Sequence, residues 1–400
     1  KFNQLYSLGT GGDFDYSDSQ ILFHKSLDLV DILNQKNNLQ TQVKKNIEYS
    51  NLNQVVKLGK KVIGENFPAY IIAEAGLNHN GNLKTAKKLI DSAKKANCDA
   101  IKFQTFSASS RISKKVKSVK YSEKADGLRE DLHEMFDRLS LSKKEFEILF
   151  KYARKKKVEI FSTPFSIDDV NFLEKHKVKF YKIASVDCVN LPLIERVGKT
   201  KKPLILSTGM TDLSLVEDAV KTFKSTGNKN LILLHCLSAY PSNEKEMNLN
   251  AIKTLKKIYN VPVGLSDHYP GLEVSYMALG IGANIIERHF TLNKGFEGPD
   301  HILSSEPEDM KKLTAMANNS LEIFGDGQKK IQPSEYFVIN SQRKCLYAKN
   351  KIKKGQTILK KNIIIKGPAG GVLPKHIDII CGKKAKLNIE KDEPITWESI

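Results

Sequence analysis

Cysteine is scarce in this 400-residue chain: five residues, Cys98, Cys188, Cys236, Cys345 and Cys381, an odd number at wide spacings with no CxxC pair. This argues against a disulfide framework and a cysteine-rich zinc site, and for a reducing compartment, the cytoplasm. Long apolar runs are also missing. Nothing approaches the ~18 unbroken apolar residues of a membrane span, and no signal-peptide pattern follows Lys1. Arginine is the third shortage, supplying only seven of 64 basic residues in a chain of formal net charge +19. The lysines are spread over the whole length, mostly as pairs on helix faces. No aromatic residues interleave with them and no nucleic-acid-binding motif appears. The charge therefore reads as a solvated lysine surface with a mild pull on anionic substrates, not as a nucleic-acid footprint. Finally, no GxGxxG follows the first apolar run, which weakens a dinucleotide-binding reading.

What is present is the composition of a soluble globular protein, 40% hydrophobic and 27% charged, in a chain too long for one typical core. Residues 1–53 are rich in Asn, Gln, Ser and Asp, show helical periodicity only over 20–34, and read as an N-terminal extension. From Tyr70 short apolar runs recur: 70–78, 100–106, 159–165, 180–185, 203–209, 231–236, 262–268 and 285–291. Amphipathic helical segments such as 83–97, 142–157 and 213–225 separate most of them. Eight buried strands alternating with helices predict an α/β fold, a (β/α)8 TIM barrel over 54–300. A long insert, 107–141, follows the second strand. Residues 301–342 are expected to be a linker, and 343–400, with repeated Gly- and Pro-containing turns, a small all-β domain.

Each predicted strand carries its polar residues at its C-terminal end. The first ends Glu74 to Asn78 and His79. The second carries Lys102 and Gln104, the third Ser162 and Thr163, the fourth Lys182 and Ser185. The fifth ends Ser207-Thr208, the sixth His235 to Ser238, the seventh Ser266-Asp267-His268 and the eighth Glu287-Arg288-His289. In a barrel these ends converge on one face, where active sites sit. Lys102 and Lys182 lie inside apolar strands, where an unpaired charge is costly, so they read as an anion site with Thr163, Ser185, Ser207 and Ser266 as hydrogen-bond donors. His268 and His289 end adjacent strands and read as a pair of ligands for Mn2+, Mg2+ or Co2+, against the alternative of two hydrogen-bonded core histidines. His235 reads as a core residue, and His79 stays undecided. Glu74 fits either a general acid or base or a salt bridge to one of the lysines.

The ordered stretches AEAGLNHNG, KFQTF, FSTPF, KIAS, STGM, LLHC…YP, GLSDH, ERHFT and GPDH closely resemble the sialic acid (nonulosonic acid) synthase family, from about Val55 to the C-terminus. The final segment resembles that family's antifreeze-like SAF domain. The resemblance implies condensation of phosphoenolpyruvate with an acylated amino sugar of the N-acetylmannosamine type, with release of phosphate. It implies Glu74 as the catalytic carboxylate, and His268 and His289 as ligands of a divalent metal, Mn2+ foremost. It implies Lys102, Thr163, Lys182, Ser185, Ser207, Ser238 and Ser266 as the phosphoenolpyruvate cradle. Gln104, Tyr240 and Asp300 are implied as sugar contacts, and Asp187 replaces the glutamate common after KIAS. Asn78 joins the substrate-binding candidates. A domain-swapped cytoplasmic homodimer, with neither nucleic acid nor membrane as partner, is implied as well. One departure stands out. Gly367 occupies the place of an arginine that reaches the sugar's acyl group, which brings legionaminic- or pseudaminic-type precursors forward as rivals. A metal-dependent barrel aldolase, another phosphoenolpyruvate condenser and a non-catalytic sugar-acid binder are the remaining readings.

Overall fold

A computed structural model describes Tyr49, residues 51–116 and residues 131–400. The periodic stretch 20–34 and the middle of the insert, 117–130, lie outside the described residues. Two compact units are present, one ending at Phe324 and one beginning at Gly325.

The first unit contains eight parallel strands: β1 (Tyr70–Gly76), β2 (Ala100–Thr105), β3 (Glu159–Pro164), β4 (Tyr181–Ile183), β5 (Leu204–Ser207), β6 (Leu231–Cys236), β7 (Val263–Asp267) and β8 (Ile285–His289). Their lateral order is β3-β2-β1-β8-β7-β6-β5-β4, so the ladder runs round the barrel and stops only between β3 and β4. There Phe161 and Phe180 pack with ring centroids 4.5 Å apart. This is the expected TIM-type barrel, with one seam closed by side chains.

Alternation along each strand sorts the side chains into two sets. One set faces outward under the helices: Ile71, Ala73, Ile101, Phe103, Leu204, Leu206, Leu231, Leu233 and Ile286 belong to the large outer core. The other set fills the lower barrel with Tyr70, Ile72, Ala100, Phe161, Phe180, Ile205, Ile232, Leu234 and Ile285. A short antiparallel hairpin, Val56–Leu58 with Lys61–Ile63, adds Val56, Leu58 and Ile63 to this inner cluster. Gly264 lets β7 approach β8 closely, since a Cβ there would lie 2.3 Å from the Ile285 carbonyl oxygen.

The helices start where polar caps dictate. Asn82 caps Leu83–Lys95, a Ser142–Glu145 capping box opens Lys143–Lys156, and Asp212 caps Leu213–Ser225. Two expectations about boundaries need correction. Tyr49 and Leu52, assigned to the N-terminal extension, are buried in the outer core, with Tyr49 edge-on to Tyr259 at 5.1 Å. The stretch expected as a linker contains an 18-residue helix, Pro307–Phe324, whose Met310, Leu313 and Ala317 are buried in the same core.

The second unit is held by a small cluster that includes Leu346, Ala348, Ile352, Ile358, Val372, Ile380, Ile389 and Ile395. Its regular β-structure is modest: one antiparallel pair, Cys345–Ala348 with Ile363–Lys366, and isolated bridges such as Ile352 with Ile389. Short turns and two short helices, Tyr336–Gln342 and Ile377–Ile380, supply the rest.

Candidate active site

Above the apolar layer the inward positions turn polar. Counting on by two from Ile72 gives Glu74, from Ala100 gives Lys102 and Gln104, and from Phe161 gives Thr163. The same step from Phe180 gives Lys182, from Ile205 Ser207, from Leu234 Cys236, and from Ile285 Glu287 and His289. These residues, except Thr163, line a cavity of about 330 Å³ at the C-terminal ends of the strands, together with Ser185, Ser238, Tyr240, Ser266, His268, Asp300 and Arg111.

The floor of the cavity is a chain of buried opposite charges. Lys102 Nζ lies 3.2 Å from Glu74 Oε2 and 3.2 Å from Glu287 Oε1, and Lys182 Nζ lies 3.5 Å from the same Glu287 oxygen. All four side chains are at least 95% buried. Hydroxyls complete the network: Lys102 donates to Thr163 Oγ1 at 3.2 Å, Lys182 to Ser207 Oγ at 2.6 Å, and Ser266 to Glu287 at 3.3 Å. Burial drives the Glu74 carboxyl above its ordinary value, and Lys102 only partly offsets this. Glu287 faces the same burial, but Lys102 and Lys182 together hold it well below the usual carboxylate range. Burial, with repulsion from Lys102, brings Lys182 down.

A register shift follows Glu74 directly. The β1–β2 pairing is interrupted between Glu74 and Gly76, and Gly76 has φ +48°. A Cβ at Gly76 would meet Glu74 Oε1 at 3.3 Å, Gln104 Nε2 at 3.4 Å and His289 Cε1 at 3.4 Å. Glycine leaves room for these three groups to converge.

His268 and His289 stand with ring centroids 5.3 Å apart, and Tyr240 packs on His268 at 4.2 Å. His268 Nδ1 lies 2.8 Å from the Leu237 carbonyl oxygen, which can only accept, so Nδ1 carries a proton and donates to it. His289 is pushed down to about 4 by burial and so is neutral at physiological pH. Its Nδ1 is buried without a hydrogen-bond partner, with Asp300 Oδ2 3.4 Å away. Burial pulls His268 down, but the neighbouring Cys236 outweighs it and holds that imidazole above its ordinary value, so the two rings differ. As a pair of imidazoles at the cavity rim they have the chemistry to hold a divalent ion. Among the described residues no set of three His, Cys, Asp or Glu side chains is gathered to hold one, so His268 and His289 are the residues that could do so.

Several candidates sit elsewhere. Asn78 is turned to structure, donating to the Phe290 carbonyl at 3.0 Å and Ser304 Oγ at 2.7 Å. Asp187 is not in the cavity wall and accepts from Asn190 at 2.9 Å. His79 accepts from the Gly81 amide at 3.1 Å and stacks on Phe103, and His235 lies 2.7 Å from the Met247 carbonyl. Gly367 has the backbone of Gln342 against it: a Cβ there would lie 2.9 Å from the Gln342 carbonyl oxygen. The adjacent Lys366 is ion-paired with Asp392 and lies over the Tyr347 ring, so it is engaged within its own unit.

Cys236, Glu287 and Arg111 line the wall without an assigned role in the sequence reading. Glu287 was legible, because it shares the inward parity of His289. Arg111 was not, since it comes from the insert.

Buried lysines, carboxylates and paired imidazoles at the top of an eight-stranded barrel mark this cavity as the candidate active site of a barrel enzyme. The comparisons give the family: the NeuB family model matches residues 89–329 and the SAF domain model residues 343–400. This chain belongs to the NeuB family, and it is an enzyme of the N-acetylneuraminate synthase type. The N,N'-diacetyllegionaminic acid synthase of Campylobacter jejuni is 40% identical, over 81% of this chain and 98% of that protein. The synthase of the same name from Legionella pneumophila is 37% identical, over 86% and 97%. A crystal structure of N-acetylneuraminic acid (sialic acid) synthetase from Leptospira borgpetersenii is 38% identical with a TM-score of 0.64, covering 72% of this chain and 96% of that one.

Proposed function

We propose that this cavity condenses phosphoenolpyruvate with an acylated amino-sugar aldose and water, giving a nonulosonic acid and inorganic phosphate. The observation that carries the reading is the pair of buried lysines, Lys102 and Lys182, sharing Glu287 on a floor of serine and threonine hydroxyls beside two imidazoles.

The enol C3 attacks the aldehyde carbon, and the aldehyde oxygen takes up a proton. Water adds to C2 and loses a proton. The tetrahedral C2 then expels phosphate as its C–O bond breaks, leaving a ketone. Lys102 and Lys182 neutralise phosphate and carboxylate charge, while Ser185, Ser207, Ser238 and Ser266 orient the anion. Glu74, raised by burial and ion-paired to Lys102, is the group to move the proton of the attacking water. His268 and His289 would hold a divalent ion, Mn2+ foremost, which would supply Lewis-acid polarisation of the aldehyde.

For the sugar, a 2,4-diacetamido aldose of the legionaminic type is favoured by Gly367 and by the names of the two bacterial relatives. N-acetylmannosamine is the second reading, favoured by the Leptospira structure. The reading includes a cytoplasmic location, consistent with five free cysteines, and a domain-swapped homodimer by family resemblance. The test is phosphate release from phosphoenolpyruvate against a panel of 2-acetamido and 2,4-diacetamido hexoses. Release must require both substrates, and 18O in the bridging position must leave with the phosphate. Release without a sugar, or 18O retained in the acid, refutes the proposal.

A further inference from the structure

The insert after β2 returns one arginine to the cavity wall. Arg111 ends a short helix, Ala108–Arg111, that opens on a Ser107 capping box. Its guanidinium carbon lies 4.6 Å from the ring centre of Phe106, 3.9 Å from Phe136 and 4.2 Å from Phe165. Phe106 packs edge-on against both Phe136 and Phe165, at 5.6 and 5.7 Å. The three rings belong to a separate apolar cluster with Leu77, Met135 and Leu139. Such a clamp suits a planar cation and fixes its direction. One edge of the guanidinium donates from Nη1 to Gln104 Oε1 at 2.8 Å, and Gln104 Nε2 donates to Glu74 Oε1 at 2.8 Å.

The chemistry of the three groups leaves one arrangement. Arginine carries donors only, so it selects the oxygen end of the Gln104 amide. The NH2 end is then the one that faces Glu74, and it occupies a lone pair of Oε1. Without Arg111, the amide keeps only its bond to Glu74 at one end, and Glu74 loses a fixed neighbour on the side opposite Lys102. We infer that Arg111 is a positioning residue, which through Gln104 sets the direction of the Glu74 carboxylate toward its reacting partner. The catalytic meaning of that direction rests on the proposed role of Glu74; the Arg111–Gln104 coupling does not.

The test has two arms. In the first, phosphate release is measured for Arg111→Met, Gln104→Ala, the double variant and Arg111→Lys. Arg111→Met lowers kcat by about 10- to 100-fold, the range of a misplaced catalytic group. The double variant loses no more than the worse single variant, because both break one relay. Arg111→Lys, which keeps a donor but not the plane, recovers part of the loss. In the second arm the side-chain amide of Gln104, assigned through Gln104→Ala, is followed by NMR in protein labelled with 15N at glutamine side chains. The wild type gives a distinct pair of amide protons with a hydrogen-bond shift, and Arg111→Met averages it. Multiplicative losses in the double variant, or an unchanged Gln104 amide in Arg111→Met, overturn the inference. The second arm needs no substrate, so it stays decisive if the wild type shows no turnover and the proposed reaction fails.

Discussion

Replacing Glu287 with glutamine removes one charge and almost no volume, and it should expose how tightly the cavity floor is balanced. Glu287 Oε1 lies 3.2 Å from Lys102 and 3.5 Å from Lys182, with every partner at least 95% buried. At an effective dielectric of about 20 each contact is worth roughly 5 kcal/mol before desolvation. Much of that gross attraction only offsets burial, so the net cost of breaking the arrangement is about 3–5 kcal/mol, the range for an orphaned buried charge. In a unit of this size that lowers the melting temperature by about 10 °C. The diagnostic step is to add an anion. Phosphate supplies negative charge where Glu287→Gln lacks it, so its stabilisation of the variant should exceed that of the wild type. Thermal melts of both proteins at neutral pH, with and without inorganic phosphate, read this directly. A variant that melts within about 2 °C of the wild type, or an equal phosphate effect on both proteins, would refute the charge-balance argument.

The same residue sets an acid response. The folded value of Glu287 lies below its ordinary one, so its contribution is complete above the ordinary carboxylate range and fades as pH falls toward about 2. The stability gap between wild type and Glu287→Gln should therefore be widest near neutrality and shrink as pH falls toward 2; a gap that grows in acid contradicts the assignment. EDTA should abolish phosphate release and Mn2+ restore it, while His268→Ala or His289→Ala should cost on the order of 1,000-fold with the fold intact; full turnover in the chelator removes the metal from the proposal. Deleting residues 1–47 should leave activity near normal, whereas extending the cut through Leu52 should lower thermal stability, because Tyr49 and Leu52 are buried in the barrel's outer core. Equal melting of the two truncations would show that this anchoring is unimportant.

The barrel was legible because its strands are written as short apolar runs with polar ends, a pattern that sequence spacing preserves. Glu74, Lys102, Lys182, Ser207, Ser266 and His289 reach the cavity through strand parity, and His268, the residue after β7, continues the parity of Ser266. Asn78 and Asp187 follow their strands at loop positions, where parity no longer predicts direction, and both spend hydrogen bonds on neighbouring structure. Arg111 was invisible for the opposite reason. It lies in an insert without periodicity, and only the meeting of Phe106, Phe136 and Phe165, from three separate segments, fixes where it points. The linker expectation failed because a helix covering the barrel and a helix crossing between units share the same amphipathic spacing.

Strand β8 holds three charged or titratable residues in a row, and the pleat sends them opposite ways. Glu287 and His289 enter the cavity, while Arg288 turns outward, ion-paired with Asp267 and donating to Ser305 Oγ and the Tyr269 carbonyl at 2.7 Å each. Chemistry and scaffold thus occupy opposite parities of one five-residue segment. A substitution on either parity disturbs one side of the strand at a time, whereas a change of length disturbs both. Inserting or losing a single residue would drive the guanidinium into the reaction space and the imidazole under the helices, ending function and fold in one event.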